Sequence, residues 1–368
     1  MESKRKGINP KLVTLFVLIG ILIVAIVTGV IVNASMKKNA YDEAKRLMGL
    51  ELYEKAIEAF EDLDGYKDSK EQIRLAQEAL HQRQQYDDAL LLVKTGKYAE
   101  AREAFAQMGD YKDAQLYLSR FSQKNVLTSV MSQLNGEEEY TESYTYENGI
   151  LTQVTMRESD DTDITTFGYY EDGKLKWQNT FHEKDFENKK SPYREVDYIY
   201  DASGLLTEET VKEDYEKSTY QYTYDENGNV TERLWLKKGE FYSRTYYVYD
   251  AHGQYTQSGF EYEWGAKQDV TYTTEYDAQN RPVRIDSVSA PSGYTENYEY
   301  RYDAAGNQIY MKKIEDGKTT YEYSYTYDDI GNLISETLHK TTESSDNTWV
   351  TTYNYSDIWT FAELLESK

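Results

Sequence analysis

The chain has 368 residues, 41 lysines and arginines against 65 aspartates and glutamates, a net charge of -24 and no cysteine. The absence of cysteine excludes a disulfide framework, a thiolate zinc site and a cysteine nucleophile. From Ser122 onward 23 basic residues face 47 acidic ones, so the excess lies entirely there, and a field of that sign argues against nucleic acid or anionic lipid as a ligand of this part.

Leu12 to Val32 is an apolar run relieved only by Thr14, Gly20, Thr28 and Gly29. At ~1.5 Å per residue it spans a hydrocarbon core about 30 Å thick. Lys4, Arg5, Lys6 and Lys11 precede it, which places the short N-terminal tail in the cytoplasm and everything after Asn33 outside. A cleaved signal peptide is the alternative, with Val32-Asn33-Ala34 as its processing site. The run exceeds the roughly 7 to 15 residues of a signal core, so an uncleaved single-pass anchor over residues 1–36 is the expectation.

From residue 37 to 121 the period turns helical, with an internal repeat at an offset of 45. Tyr41, Ala44, Tyr53, Ala56, Phe60, Tyr66, Lys67 and Asp68 align with Tyr86, Ala89, Tyr98, Ala101, Phe105, Tyr111, Lys112 and Asp113. Gly96-Lys97-Tyr98-Ala99-Glu100-Ala101 followed by Phe105 resembles the tetratricopeptide pattern, in which glycine ends one helix and small alanines let two helices approach. The first copy carries Glu51 at the glycine position. The resemblance implies either a groove for a partner or a spacer that lifts the rest off the membrane. Residues 122–139 show no clear period and read as a linker.

Residues 140–368 are dominated by one recurring unit, seen best in Thr219 to Leu236. Tyr220, Tyr222 and Tyr224 alternate with Gln221 and Thr223, so an extended strand puts all three rings on one face. Asp225-Glu226-Asn227-Gly228 then fits a tight turn, with aspartate accepting backbone N–H groups and glycine supplying positive φ. The unit recurs with Tyr-Asp-x-x-Gly at Asp201/Gly204, Asp250/Gly253, Asp303/Gly306 and Asp328/Gly331, and at Asp277 with Asn280 in the glycine position. A period of this order marks a repeat architecture. Tyrosine outnumbers phenylalanine 38 to 10, which suits a half-wet sheet face.

These Tyr-Asp pairs resemble the YD-repeat, or Rhs-type, proteins over roughly Tyr140 to Trp359. That family is bacterial and mostly exported or on the cell surface, and the resemblance implies stacked β-hairpins forming one long curved sheet. In its large members the sheet winds around a toxic C-terminal segment. This chain lacks a proline-rich core motif followed by a variable domain, so toxin delivery is not expected of it. Ile358 to Leu365 reads as a cap for an open sheet edge.

The four histidines are scattered and form no pair at metal-ligand spacing or catalytic order. One carboxylate per Tyr-Asp turn falls short of the six to eight oxygens calcium takes. Neither an enzyme nor a metal or other cofactor is expected. The whole reads as α plus β: a transmembrane helix, a helical-repeat stalk and an all-β sheet of antiparallel hairpins. Non-catalytic binding or scaffolding at the cell surface is the expected function. The candidate ligand face comprises Tyr222, Tyr224, Trp235, Tyr247, Tyr249, Tyr300, Tyr302 and Tyr325, for a protein or cell-wall glycan. A purely architectural spacer and a truncated relative of the toxin shells are the other readings.

Overall fold

The computed structural model describes residues 10–213, 215–342 and 345–362. Lys4, Arg5 and Lys6 of the expected cytoplasmic tail, and Glu363 to Leu365 of the expected cap, lie outside the described residues. Two compact units separate: residues up to Ser122 together with Phe361 onward, and Gln123–Thr360.

The first unit is helical. Helix α1 (Pro10–Gly49) carries the apolar run and continues beyond it, about 60 Å at 1.5 Å per residue, twice a hydrocarbon core. Its apolar side chains are bare, with Phe16 64% and Val24 65% exposed. It is thus an N-terminal helix long and apolar enough to cross a membrane. Helices α2 (Tyr53–Glu61), α3 (Ser69–Lys94), α4 (Tyr98–Gln107) and α5 (Ala114–Leu118) follow.

The 45-residue offset becomes two separate small cores. Tyr41, Ala44, Ala56, Phe60 and Leu63 form one, and Tyr86, Ala89, Phe105 and Ala114 the other. Both turns of equivalent position form: Glu51 adopts φ 58° where Gly96 has φ 73°. The duplicated Tyr-Lys-Asp has a local cause. Lys67 and Lys112 both sit at positive φ, which brings the Lys67 ammonium 4.3 Å from the Tyr41 ring centre and that of Lys112 5.6 Å from Tyr86. The Tyr41 hydroxyl also donates to the Asp68 carboxylate. Where a third repeat would begin, Tyr117 and Phe121 instead pack on Phe361, with ring centres 6.0 and 5.0 Å away.

The second unit is an antiparallel meander of eighteen strands. Its first half comprises β1 (Phe121–Leu134), β2 (Glu137–Glu147), β3 (Ile150–Glu158), β4 (Asp161–Tyr169), β5 (Leu175–His182), β6 (Arg194–Tyr200), β7 (Leu206–Glu213), β8 (Glu216–Tyr224) and β9 (Val230–Lys237). The second half comprises β10 (Glu240–Tyr249), β11 (Tyr255–Tyr262), β12 (Lys267–Tyr276), β13 (Pro282–Ala290), β14 (Thr295–Tyr302), β15 (Gln308–Glu315), β16 (Lys318–Tyr327), β17 (Leu333–Thr341) and β18 (Asp346–Phe361). A short helix, α6 (Glu183–Glu187), interrupts the chain between β5 and β6.

Each strand pairs with its sequence neighbours, and β18 pairs back onto β1, so the sheet closes into a barrel. This corrects the open repeat sheet expected from the hairpin pattern. At the seam Asn135 N–H donates to the Thr348 carbonyl at 2.8 Å, and Thr348 N–H returns to the Asn135 side chain at 2.9 Å. Closure removes the free edges that an open stack would leave to water or to another chain. Two further expectations fall with it. Residues 122–139 are not a linker but β1 and the start of β2. Ile358 to Phe361 is not a cap across an edge but the end of β18.

Directly opposed residues share a face, so the registers carry the tyrosine face around the barrel. That face also holds the buried side chains Val130, Ser132, Thr180, Val196, Ser287 and Ser289, whereas Ile199, Val248 and Val288 on the opposite face are 45 to 50% exposed. The tyrosines therefore point inward. A ring of 18 strands encloses more space than one layer of aliphatic side chains fills, which accounts for rings that stay half exposed. On the outer face Gly168 and Gly259 lie opposite Trp177 and Tyr246, whose rings occupy the space a Cβ would need.

Candidate functional site

The repeated turn positions everything else. Asp225 Oδ1 accepts the N–H of Asn227 and of Asn229 at 2.9 and 2.8 Å. Asp201, Asp250, Asp277 and Asp328 repeat both bonds, and Asp303 repeats the second. Gly204, Gly228, Gly253, Gly306 and Gly331 all have φ between 78° and 97°, and Asn280 takes φ 59° at the same position. The paired strands shift register by one residue just before each turn, the local bulge that a positive-φ residue allows.

In four of the units the second tyrosine acts as a staple between hairpins, whereas Tyr276 donates to the Asp250 carboxylate instead. The Tyr224 hydroxyl donates to the Leu206 carbonyl at 2.6 Å, Tyr249 to Val230 at 2.7 Å, Tyr302 to Pro282 at 2.8 Å and Tyr327 to Gln308 at 2.8 Å. In each case the acceptor lies where the returning strand of the preceding hairpin begins. Phenylalanine could pack there but could not make this bond, which explains why the repeat keeps tyrosine.

Of the eight sequence candidates, Tyr224, Tyr249 and Tyr302 thus commit their hydroxyls to the framework. Tyr222 donates to Glu209 at 3.1 Å, and burial beside that carboxylate pushes its pKa up to about 12. Burial, with Tyr302 next to it, likewise pushes Tyr300 up to about 12, and burial is the chief cause that raises Tyr247 and Tyr325. These side chains line different sectors of the inner face rather than one platform. Two of the candidates meet cavities: Tyr325 lines one of about 560 Å³ among the turns around Asp303 and Asp328, and Trp235 lines one walled by several rings.

Two cross-strand rows run over β8, β9, β10 and β11. One is Tyr220, Trp235, Ser243 and Tyr262; the next is Tyr222, Arg233, Thr245 and Phe260. Because Ser243 and Thr245 are small, β10 forms the floor of a cleft between aromatic walls on β9 and β11. The cleft measures about 360 Å³ and is lined by Tyr220, Arg233, Trp235, Ser243, Thr245, Phe260 and Tyr262. Tyr242 packs on Trp235 with ring centres 4.2 Å apart. Trp264, 59% exposed, stacks on Tyr262 at 4.3 Å where the strands turn back.

The polar groups of the cleft are incompletely used. The Arg233 guanidinium lies 4.2 Å from the centre of the Tyr220 ring and, among the described residues, meets no carboxylate as an ion pair. The Trp235 indole N–H is buried with no acceptor. Sequence reasoning identified Trp235 but did not select Tyr220, Arg233, Ser243, Thr245, Phe260 or Tyr262. Their signal was available only by aligning neighbouring hairpins, since the cleft comes from the contrast between a small-residue strand and its two aromatic neighbours.

Elsewhere on the inner face, Lys313 bridges Glu296 and Glu315 at 2.8 and 2.6 Å. Glu336 sits opposite Tyr325, its carboxyl raised by burial. No group of three or more His, Asp or Glu among the described residues is placed to hold a metal ion.

No family model matches the chain, and no curated protein matches it. Among solved structures, a porin-like protein from Bacteroides uniformis is similar at 9% identity and TM-score 0.26, covering 62% of this chain and 96% of that one. MucB in complex with MucA is similar at 11% identity and TM-score 0.15, covering 64% and 88%. Likenesses this distant carry no argument about fold or function.

Proposed function

We propose that the protein is a membrane-anchored, non-catalytic binding module. In this reading the apolar part of α1 stays in the membrane with the N-terminus in the cytoplasm, the tetratricopeptide-like repeats act as a stalk, and the YD-type barrel is displayed outside. The outer face of the barrel supports an aqueous location. Glu195, Asp197 and Lys212 stand on it along β6 and β7, and Glu232, Arg244 and Glu261 along β9 to β11. A lipid-facing barrel would need an apolar band there.

The observation that carries the binding reading is the β8–β11 cleft, a concave site with aromatic walls and a few convergent polar groups. Full-length protein in detergent micelles would be presented with cell-wall polysaccharides and envelope proteins. Saturable capture that Trp235→Ala abolishes, with the barrel still folded, is the expected result. Capture of nothing, or capture indifferent to Trp235→Ala, sinks the binding site as drawn. The repeated tyrosine staples favour a second reading, in which the barrel is architectural and aromatic substitutions change stability alone.

A further inference from the structure

The cleft on β8–β11 has a defined chemistry, and the inference drawn from it rests on the binding reading above. Its walls are flat rings, Trp235 and Tyr220 on one side and Tyr262 and Phe260 on the other. Such walls take up a ligand with apolar faces. Its floor is two hydroxyls, Ser243 and Thr245, each able to pair with a ligand oxygen. A pyranose ring offers both features, C–H groups on its faces and oxygens around its edge.

Arg233 narrows the class further. In a chain of net charge -24, Arg194, Arg244, Arg281 and Arg284 all sit within 4.0 Å of a carboxylate. Arg233, like Arg301 over Tyr310, instead stacks on a tyrosine, Tyr220, and it also meets the Tyr222 hydroxyl, which donates to Glu209. A guanidinium kept out of ion pairs and held among rings presents its planar fork to an incoming anion. We infer that the cleft binds an anionic saccharide, a sugar ring that seats over Ser243 and Thr245 against the rings of the cleft and sets its carboxylate or phosphate on Arg233.

The test uses full-length protein in detergent micelles, with tetragalacturonic acid as the acidic probe and maltotetraose as the neutral one. Indole fluorescence and calorimetry read the binding. Wild type should saturate with tetragalacturonic acid and bind maltotetraose at least about tenfold more weakly, the worth of one charge-assisted contact. Arg233→Gln should remove that preference, and Ser243→Phe, which fills the floor, should abolish uptake of both sugars. Should Arg233→Gln fail to fold, Arg233→Lys keeps the charge without the planar fork and should weaken the acidic probe selectively. Saturation indifferent to Arg233, or tighter binding of the neutral sugar, overturns the inference. Binding of neither sugar by a protein that still captures another envelope component through Trp235 overturns it too, while leaving the binding role intact.

Discussion

The hydroxyl of Tyr224 shows how one atom type sets the repeat. It reaches the Leu206 carbonyl of the preceding hairpin at 2.6 Å, so Tyr224→Phe removes a single half-buried hydrogen bond and keeps the ring. That change should cost about 1 kcal/mol, read as a lower urea midpoint with unchanged slope, and it should leave any ligand at the β8–β11 cleft unaffected. Asp225 makes a second prediction. The Asn229 side-chain amide, then the backbone N–H groups of the turn, hold its carboxyl below the usual range, and Asn307 does the same for Asp303. A carboxyl whose folded pKa is depressed contributes stability in full above its unfolded value near 3.9, and that contribution is lost as the pH falls through the lower folded value. Acid should therefore loosen the turns below about pH 4, and Asp225→Asn should flatten that part of the stability profile. An unchanged acid limb in the variant would count against the turn as its source.

At the scale of elements, the hairpins could be read from the sequence because each is local. Tyrosines at alternate positions, an Asp and a positive-φ Gly or Asn lie within ten residues of one another, and every one of those signals has a backbone cause. Strand β1 escaped because it lacks that signature: only Val126, Val130 and Ser132 are buried along it, and nothing in it announces a turn. Barrel closure escaped for a different reason, since the seam joins Asn135 to Thr348 and no local pattern encodes so distant a pairing. The cleft was half legible, because Trp235 stands out while the emptiness beside it depends on two small residues of the next hairpin. Phe361 gives this scale its own test. It is 7% exposed and packs on Tyr117 and Phe121 beneath the second helical core. Phe361→Ala should cost about 3 kcal/mol through lost burial and the cavity left behind. Helical circular dichroism should report an earlier melt; an unshifted helical melt would remove Phe361 from that core.

On the scale of the whole molecule, what distinguishes this barrel is an interior of tyrosine where aliphatic side chains would be usual. Burial pushes Tyr198, Tyr222, Tyr249, Tyr276, Tyr298 and Tyr300 up to about 12, because a phenolate inside the barrel loses hydration that the unfolded chain provides. The sign follows from linkage. A tyrosine whose folded pKa is raised contributes stability that is complete below the unfolded value near 10 and lost as the pH climbs through the folded value. Six or more such groups titrating in one ring, added to a chain already at net charge -24, also repel one another. Alkaline titration should therefore leave the phenolates of these six unformed near pH 10. A steep rise in phenolate absorbance should follow between about pH 10 and 12, coincident with loss of the sheet signal in circular dichroism. If instead the phenolates of Tyr198, Tyr222, Tyr249, Tyr276, Tyr298 and Tyr300 appear near pH 10 while the sheet stays intact, those rings are solvated and the tyrosine face does not form the barrel interior. The same titration on Trp235→Ala separates site from scaffold: the cleft variant should keep the wild-type alkaline transition, because the staples that close the hairpins onto one another lie outside the cleft.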